Sequence, residues 1–231
     1  MRLNERQTKI VEALKERKRM SVVQLAKQFF VSEMTIRRDL KLLEEESYIV
    51  RYNGGAMIKN GDGDIMPIKY RRLLHIKQKT NLAKMAEKYL KDSINVFIDS
   101  SSTCMYIIPL IAEHKDIHIF TNSVQTVIAA AERGIKCTLV GGNYYKYDMC
   151  TVGSIAEEFL RGINADIAFF SSAGLSDDGF ITDHDELQTA IRKIVMSKCD
   201  TNIFLFDNHK LHKKYIYTLC HKDDVTETFI L

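Results

Sequence analysis

Two groups of residues in this 231-residue chain have types and spacings suited to chemistry. The first is a set of short segments rich in hydroxyls, glycine and amides: Asp99-Ser100-Ser101-Ser102-Thr103, Thr121-Asn122-Ser123, Gly141-Gly142-Asn143, Ser171-Ser172-Ala173-Gly174 and Asp207-Asn208-His209-Lys210. Such segments, where they open helices, offer backbone amides and a positive dipole end to an anion. Lys210 supplies a matching cation. The carboxylates Asp99, Asp183 and Glu186 can accept hydrogen bonds from sugar hydroxyls, and Asn122 can both donate and accept. One such loop alone is as well explained by a helix cap or a tight turn. Several converging on one edge describe a site for a phosphorylated, hydroxyl-rich molecule.

The second group is SEMTIRRDLKLLEEE, Ser32 to Glu46. Ile36, Leu40 and Leu43 recur at i, i+4 and i+7 and form one buried helical stripe, with Ser32 placed as the N-cap. Glu33, Met34, Thr35, Arg37, Arg38 and Lys41 accompany that cap or point away from the stripe. The format is that of a DNA recognition helix, whose first turns reach base edges while cations meet phosphates. Arg38 is the candidate for a base edge or, failing that, a phosphate clamp, and Arg37 for phosphate. Asp39 reads as orienting an arginine, and Thr35 as touching a thymine methyl or supporting the turn.

The elements that must position these residues follow from periodicity. A first helix runs from Asn4 to about Lys18. Ser21 opens a short second one with Val22, Leu25, Ala26 and Phe29 on its apolar face, and the turn at Phe30-Val31 leads into the recognition helix. Tyr48 to Ile58 alternates as strands do around Asn53-Gly54, a hairpin signal, which gives a wing carrying Arg51 and Asn53 toward DNA. Residues 59–80 read as a polar linker, with the domain boundary near Asn60 to Asp64, ending in a basic helix whose KYRRL cluster is either solvated, the favoured reading, or an added set of phosphate contacts. Beyond it, five short apolar runs, at residues 94–98, 117–120, 137–140, 167–170 and 203–206, alternate with helical segments. This is the pattern of a mostly parallel, Rossmann-like α/β sheet whose ligands collect at the carboxyl ends of the strands. The domains are therefore expected at 1–58 and 81–231.

The run VVQLAKQFFVSEMTIRRDLKLLEEESYIVRYNGGA closely resembles the winged helix-turn-helix of the DeoR family of bacterial sugar-metabolism regulators. The resemblance rests on Val31, Ser32, Thr35, Ile36, Arg37, Arg38, Asp39 and Leu40, followed by Gly54, Gly55 and Ala56. It extends through the DSSST, TNS and GG loops, the segment Asp166 to Gly174, and Asp207 to Lys210, so that essentially the whole chain is covered. It implies a C-terminal effector domain related in fold to ribose-5-phosphate isomerase, with a phosphorylated sugar as inducer. Two positions depart from the family pattern. Ser101 stands where glycine is usual, and Asn208-His209 replaces Ser-Ser; each changes bulk or donors beside the presumed phosphate.

Composition bounds the rest. The first 60 residues hold 13 basic and 8 acidic side chains and the remainder is near balance, which suits an N-terminal domain that meets a polyanion. Five cysteines without CxxC spacing argue against a disulfide framework or structural zinc, and neither a metal nor a cofactor is expected. The N-terminus lacks a signal-peptide core, and no apolar run approaches the roughly 20 residues that span a bilayer, so the expectation is a cytoplasmic protein without membrane contact. The leading functional expectation is a repressor that binds operator DNA as a homo-oligomer, a dimer or tetramer, and is released by a sugar phosphate. The alternative is a sugar-phosphate isomerase using Asp99 or Asp183 as base and Lys210 as electrophilic stabiliser.

Overall fold

The computed structural model describes residues 3–46, 48–58 and 68–231, without the side chains of Lys69 and Tyr70. The chain divides into two units, Met1–Met66 and Pro67–Leu231.

In the first unit, α1 (Glu5–Arg17) starts at a capping box in which Asn4 and Gln7 satisfy each other's backbone amides. Next comes β1 (Arg19–Ser21), a strand that the sequence pattern does not reveal, and then α2 (Val22–Phe29), opened by a second capping box between Ser21 and Gln24. α3 (Glu33–Glu45) buries Ile36, Leu40 and Leu43 as their spacing requires. β2 (Ile49–Tyr52) and β3 (Gly55–Ile58) form the expected wing around Asn53-Gly54, and β1 joins the far side of β3 to make a three-stranded sheet. Gly55 is required by that addition, since a Cβ there would lie 2.4 Å from the Met20 carbonyl oxygen. The core draws on all three helices and the sheet, with Ile10, Leu14, Met20 and Leu25 enclosed beside the α3 stripe.

The second unit begins with α4 (Ile68–Arg71) and α5 (Ile76–Ala86). Of the linker expected over 59–80, residues 59–67, including the expected boundary, lie outside the described residues. Of the remainder, Ile68 and Lys79 are buried within this unit while residues 71–78 are half-buried or exposed, and α5 packs against the sheet through Leu82, Ala83 and Ala86. Along the chain follow β4 (Asn95–Ile98), α6 (Ile108–Ile111), β5 (His118–Thr121), α7 (Val124–Ala131), β6 (Lys136–Leu139), the hairpin β7 (Asn143–Tyr145) and β8 (Cys150–Val152), and α8 (Ser154–Arg161). Then come β9 (Ala165–Phe170), β10 (Gly174–Leu175), β11 (Phe180–Asp183), α9 (Glu186–Ser197), β12 (Cys199–Phe206), β13 (Tyr217–His221) and β14 (Glu227–Ile230).

Six strands make one parallel sheet in the order β14-β12-β9-β4-β5-β6. Five of them are the five apolar runs; β14 is a sixth. The runs are continuously apolar because both faces are covered. Val96, Ile98, Ile167, Phe169, Ile203 and Leu205 pack with α5 and α6, while Phe97, Ala168, Phe170, Phe204 and Phe206 alternate with them and pack toward α8 and α9. A small antiparallel sheet, β10-β11-β13, lies apart from the main one in strand pairing. After β6 the chain returns to build the other half of the sheet from β9. The carboxyl ends of β4 and β9 are therefore the point where strand order reverses, and the loops there diverge. No described helix is long and apolar enough to cross a membrane.

Candidate functional site

The first unit presents the face of α3 that its core leaves free. Ser32 caps the helix, its Oγ accepting from the Thr35 amide at 3.2 Å and contacting the Thr35 hydroxyl at 2.9 Å, so Thr35 supports the turn. Met34 and Arg38 are exposed, and Arg38 has no ion pair among the described residues. Arg37 pairs with Glu33 at 3.1 Å and Lys41 approaches Glu45 at 3.9 Å; both are open i,i+4 pairs that water and salt weaken. Asp39 is buried and accepts from Arg6 at 2.6 Å and from Gln7 at 3.2 Å, so it ties α3 to α1 and is absent from the free face. Asn53 is exposed at the wing tip. Arg51, expected on the wing toward DNA, is half-buried, and its amide and Nε both donate to Glu44, at 2.9 and 2.8 Å, which fastens the wing to α3.

In the second unit, the loops singled out after β4, β5, β6, β9 and β12 do share the carboxyl rim of the sheet. Most of their polar groups hold the rim together. Asp99 Oδ1 accepts from the Ser101 amide at 2.9 Å and Ser101 Oγ from the Cys104 amide at 3.1 Å. The Thr121 hydroxyl donates to the Ile98 carbonyl at 2.6 Å, and Ser123 caps α7 through the Thr126 amide. Ser100 donates to Gln188 of α9, and Asn122 Nδ2 to the Thr151 carbonyl. The glycines serve packing: a Cβ at Gly142 would meet the Val152 carbonyl at 2.8 Å and one at Gly174 the Lys213 carbonyl at 2.5 Å, whereas Gly141 has room. Glu186 is exposed at the start of α9.

The roles expected of Asp99 and Asp183 change most. Arg192, reaching inward from α9 while Lys193 faces out, donates from Nε to Asp99 at 3.0 Å and from Nη1 to Asp183 at 2.7 Å. Asp183 also accepts from Ser172 and from the His184 and Asp185 amides. Burial pushes the Asp183 carboxyl up, but Arg192, His184 and these hydrogen bonds together hold it below the ordinary carboxylate value. The two carboxylates are therefore clamped by one guanidinium and do not face a ligand as free acceptors or as a base.

What the rim leaves available is cationic. Lys210 Nζ donates to the Ser171 hydroxyl at 2.7 Å. Lys79, on the sheet-facing side of α5, is only 3% exposed and donates to the Ser102 hydroxyl at 3.1 Å and to the Arg71 carbonyl. Loss of solvent, then repulsion from Lys210 and Arg71 against the single attraction of Asp207, brings the Lys79 ammonium down to about 7. Desolvation likewise lowers Lys210. In this unit Thr103 Oγ1, Asn122 Oδ1, Thr126 Oγ1 and Arg71 Nε are buried without a hydrogen-bond partner among the described residues. His209, one of the two departures, is exposed and stacks on His75 with ring centroids 3.7 Å apart.

Lys79 and Gln188 are not in any of the motifs, and Arg71 belongs to the KYRRL cluster expected on a solvated linker helix. Lys79 does carry a signal: it falls in register with Leu82, Ala83 and Ala86 on the buried stripe of α5, a place where a lysine needs a reason. Gln188 and Arg192 share the buried stripe of α9 in the same way.

Residues 6–61 match the family described as the DeoR-like helix-turn-helix domain, and residues 74–230 the DeoR C terminal sensor domain. The HTH-type transcriptional regulator IolR of Bacillus subtilis is 30% identical over 200 residues, 86% of this chain and 79% of that one. The L-fucose operon activator of Escherichia coli is 27% identical over 227 residues, 96% of this chain and 92% of its own. Among solved structures, ribose 5-phosphate isomerase A of Methanocaldococcus jannaschii aligns with a TM-score of 0.44 at 19% identity, over 59% of this chain and 54% of the enzyme.

Proposed function

The chain belongs to the DeoR family of helix-turn-helix transcriptional regulators, and on that footing we propose that it represses a sugar-metabolism operon until a phosphorylated sugar occupies the rim of its sensor domain. It is a DNA-binding transcriptional regulator. In our reading it binds operator DNA as a homo-oligomer, with twofold symmetry matched by two half-sites on the duplex, and works in the cytoplasm. The free face of α3 reads the major groove through Met34, Thr35 and Arg38, while Arg37, Lys41 and the wing tip at Asn53 meet the backbone.

The observation that carries the effector class is the meeting of Lys79 and Lys210 at one hydroxyl-lined rim beside Arg71. Lys79 is buried and Lys210 half-buried. An incoming phosphate dianion offsets their mutual repulsion and accepts from both ammonium groups. Ser102 and Thr103 supply the hydroxyl donors that accompany it, Thr103 Oγ1 being without a partner among the described residues, while the free Asn122 Oδ1 is an acceptor suited to a sugar hydroxyl and not to the phosphate. The isomerase alternative is disfavoured by the clamp on Asp99 and Asp183, since a general base needs a free lone pair facing the substrate. We read the protein as a sensor without turnover.

Release requires that the ligand bind the non-DNA-binding arrangement more tightly, with a coupling of about 1 to 3 kcal/mol. A thermal-shift panel tests the effector class. Phosphorylated sugars should raise the melting temperature and their unphosphorylated parents should leave it unchanged; a panel in which no phosphorylated member shifts the transition ends this reading.

A further inference from the structure

Resting on that reading of the rim, we propose that Arg71 is itself an effector-binding residue, which exchanges its ion pair with Asp148 for the ligand's phosphate. By that exchange, occupancy reaches the chain segment leading back to the DNA-binding domain.

The first observation is the incomplete use of the guanidinium. Arg71 donates one Nη to Asp148 Oδ1, while its Nε is buried and unpartnered among the described residues. A guanidinium offers an Nε and an Nη as two parallel donors, a fork that matches two oxygens of one phosphate. Here the fork is half occupied. The second observation is proximity to the two rim lysines: Lys79 Nζ bonds to the Arg71 carbonyl, and Arg71 opposes the charge on both Lys79 and Lys210. The guanidinium therefore borders the same electrostatic pocket that the phosphate is proposed to fill.

Asp148 is positioned to let go. Its Oδ2 already accepts from Gln188 Nε2 at 3.1 Å, and Gln188 accepts from Ser100 in the rim loop at 2.9 Å. The carboxylate thus keeps a buried donor when Arg71 turns away. Arg71 also lies within a strap, residues 68–72, that is tied to the rest of the sensor unit by hydrogen bonds at its two ends. The Ile68 amide donates to the Tyr147 carbonyl at 2.8 Å, Arg72 reaches Gln125 at 3.4 Å, and Tyr106 donates to the Arg72 carbonyl at 2.8 Å. This strap directly follows residues 59–67, which join the two units in sequence. Moving the Arg71 side chain from Asp148 to a ligand alters one of the ties that hold this strap to the sensor unit, three residues from the Ile68–Tyr147 bond.

The test uses the full-length chain with inorganic phosphate and glucose 6-phosphate as probes, followed by titration calorimetry and by amide hydrogen exchange over residues 68–72. Arg71→Gln should weaken binding of both probes by about tenfold, the loss of one charge-assisted pair. Asp148→Asn should tighten it, because the competing carboxylate is gone. In the wild type the probes should change exchange in the strap, and in Arg71→Gln they should not. Melting curves without ligand establish that both variants are folded. If the two substitutions weaken binding alike, or if Arg71→Gln binds as the wild type does, the pair only supports the fold and the inference is overturned. Failure of the wild type to bind either probe would instead remove the rim as a phosphate site, and this inference with it.

Discussion

The Nη1 of Arg192 donates to Asp183 at 2.7 Å while its Nε holds Asp99, so one buried cation from α9 neutralises two carboxylates at the point where the sheet reverses strand order. Removing one partner of a buried ion pair costs about 3 to 5 kcal/mol, because the remaining charge is left without compensation. Arg192→Met should destabilise the sensor domain by an amount in that range in urea unfolding. Asp183 adds a pH dependence of defined sign. Its folded-state value lies below the ordinary 3.8, so its contribution is complete above 3.8 and disappears as the pH falls below it. The loss on Arg192→Met should therefore shrink in acid; a difference constant from pH 7 to about 3 would contradict the assignment.

Lys79 makes the opposite kind of pH prediction. With its folded-state value brought from 10.5 to about 7, the unfolded chain binds more protons than the folded one between those limits. Wild-type stability should rise with pH across that window relative to Lys79→Met and should run parallel to it below about 7. Unfolding free energies measured at about pH 7 and pH 9 decide this. Parallel behaviour throughout would mean that the lysine titrates normally.

Arg38 and Arg51 should separate reading from scaffolding. Arg38→Ala should cost about 1 to 3 kcal/mol and relax preference at one base pair, because a two-pronged contact to a base edge carries that much discrimination. Arg51→Ala breaks the fastening to Glu44 and should lower stability slightly while leaving sequence preference intact. Competition of the selected operator against single-base variants, at fixed salt, checks both. An Arg38→Ala protein with unchanged preference assigns that residue to the phosphate backbone alone.

Phe30 offers a stability test in the reading head. It closes α2 in the left-handed conformation, with φ 52°, and its side chain is 94% exposed. Little packing holds it, while the left-handed region costs a residue with a Cβ about 1 kcal/mol. Phe30→Gly should raise the melting temperature; a fall would show that the exposed ring contributes contacts to the folded state.

The amino-acid sequence by itself determined the elements and their order. Period-3.6 stripes fixed α1, α2 and α3, Asn53-Gly54 fixed the wing turn, and five continuously apolar runs fixed five strands of the parallel sheet, because these signals are local and each reports its own burial. The same locality placed Asp99, Thr121, Ser171 and Lys210 on one rim, since the carboxyl ends of parallel strands share an edge. Strands β1 and β14, like β7, β8, β10, β11 and β13, carry too little local signal: Met20 is flanked by polar residues in a three-residue strand, and Glu227 to Ile230 is only weakly apolar. Only the tertiary structure decided which rim groups stay available. Whether Asp99 and Asp183 meet a ligand or Arg192, and whether Arg51 faces DNA or Glu44, depends on partners 93, 9 and 7 residues away in sequence. A side chain's charge is legible in one letter; what neutralises it is settled by packing, which brings distant segments within hydrogen-bonding range.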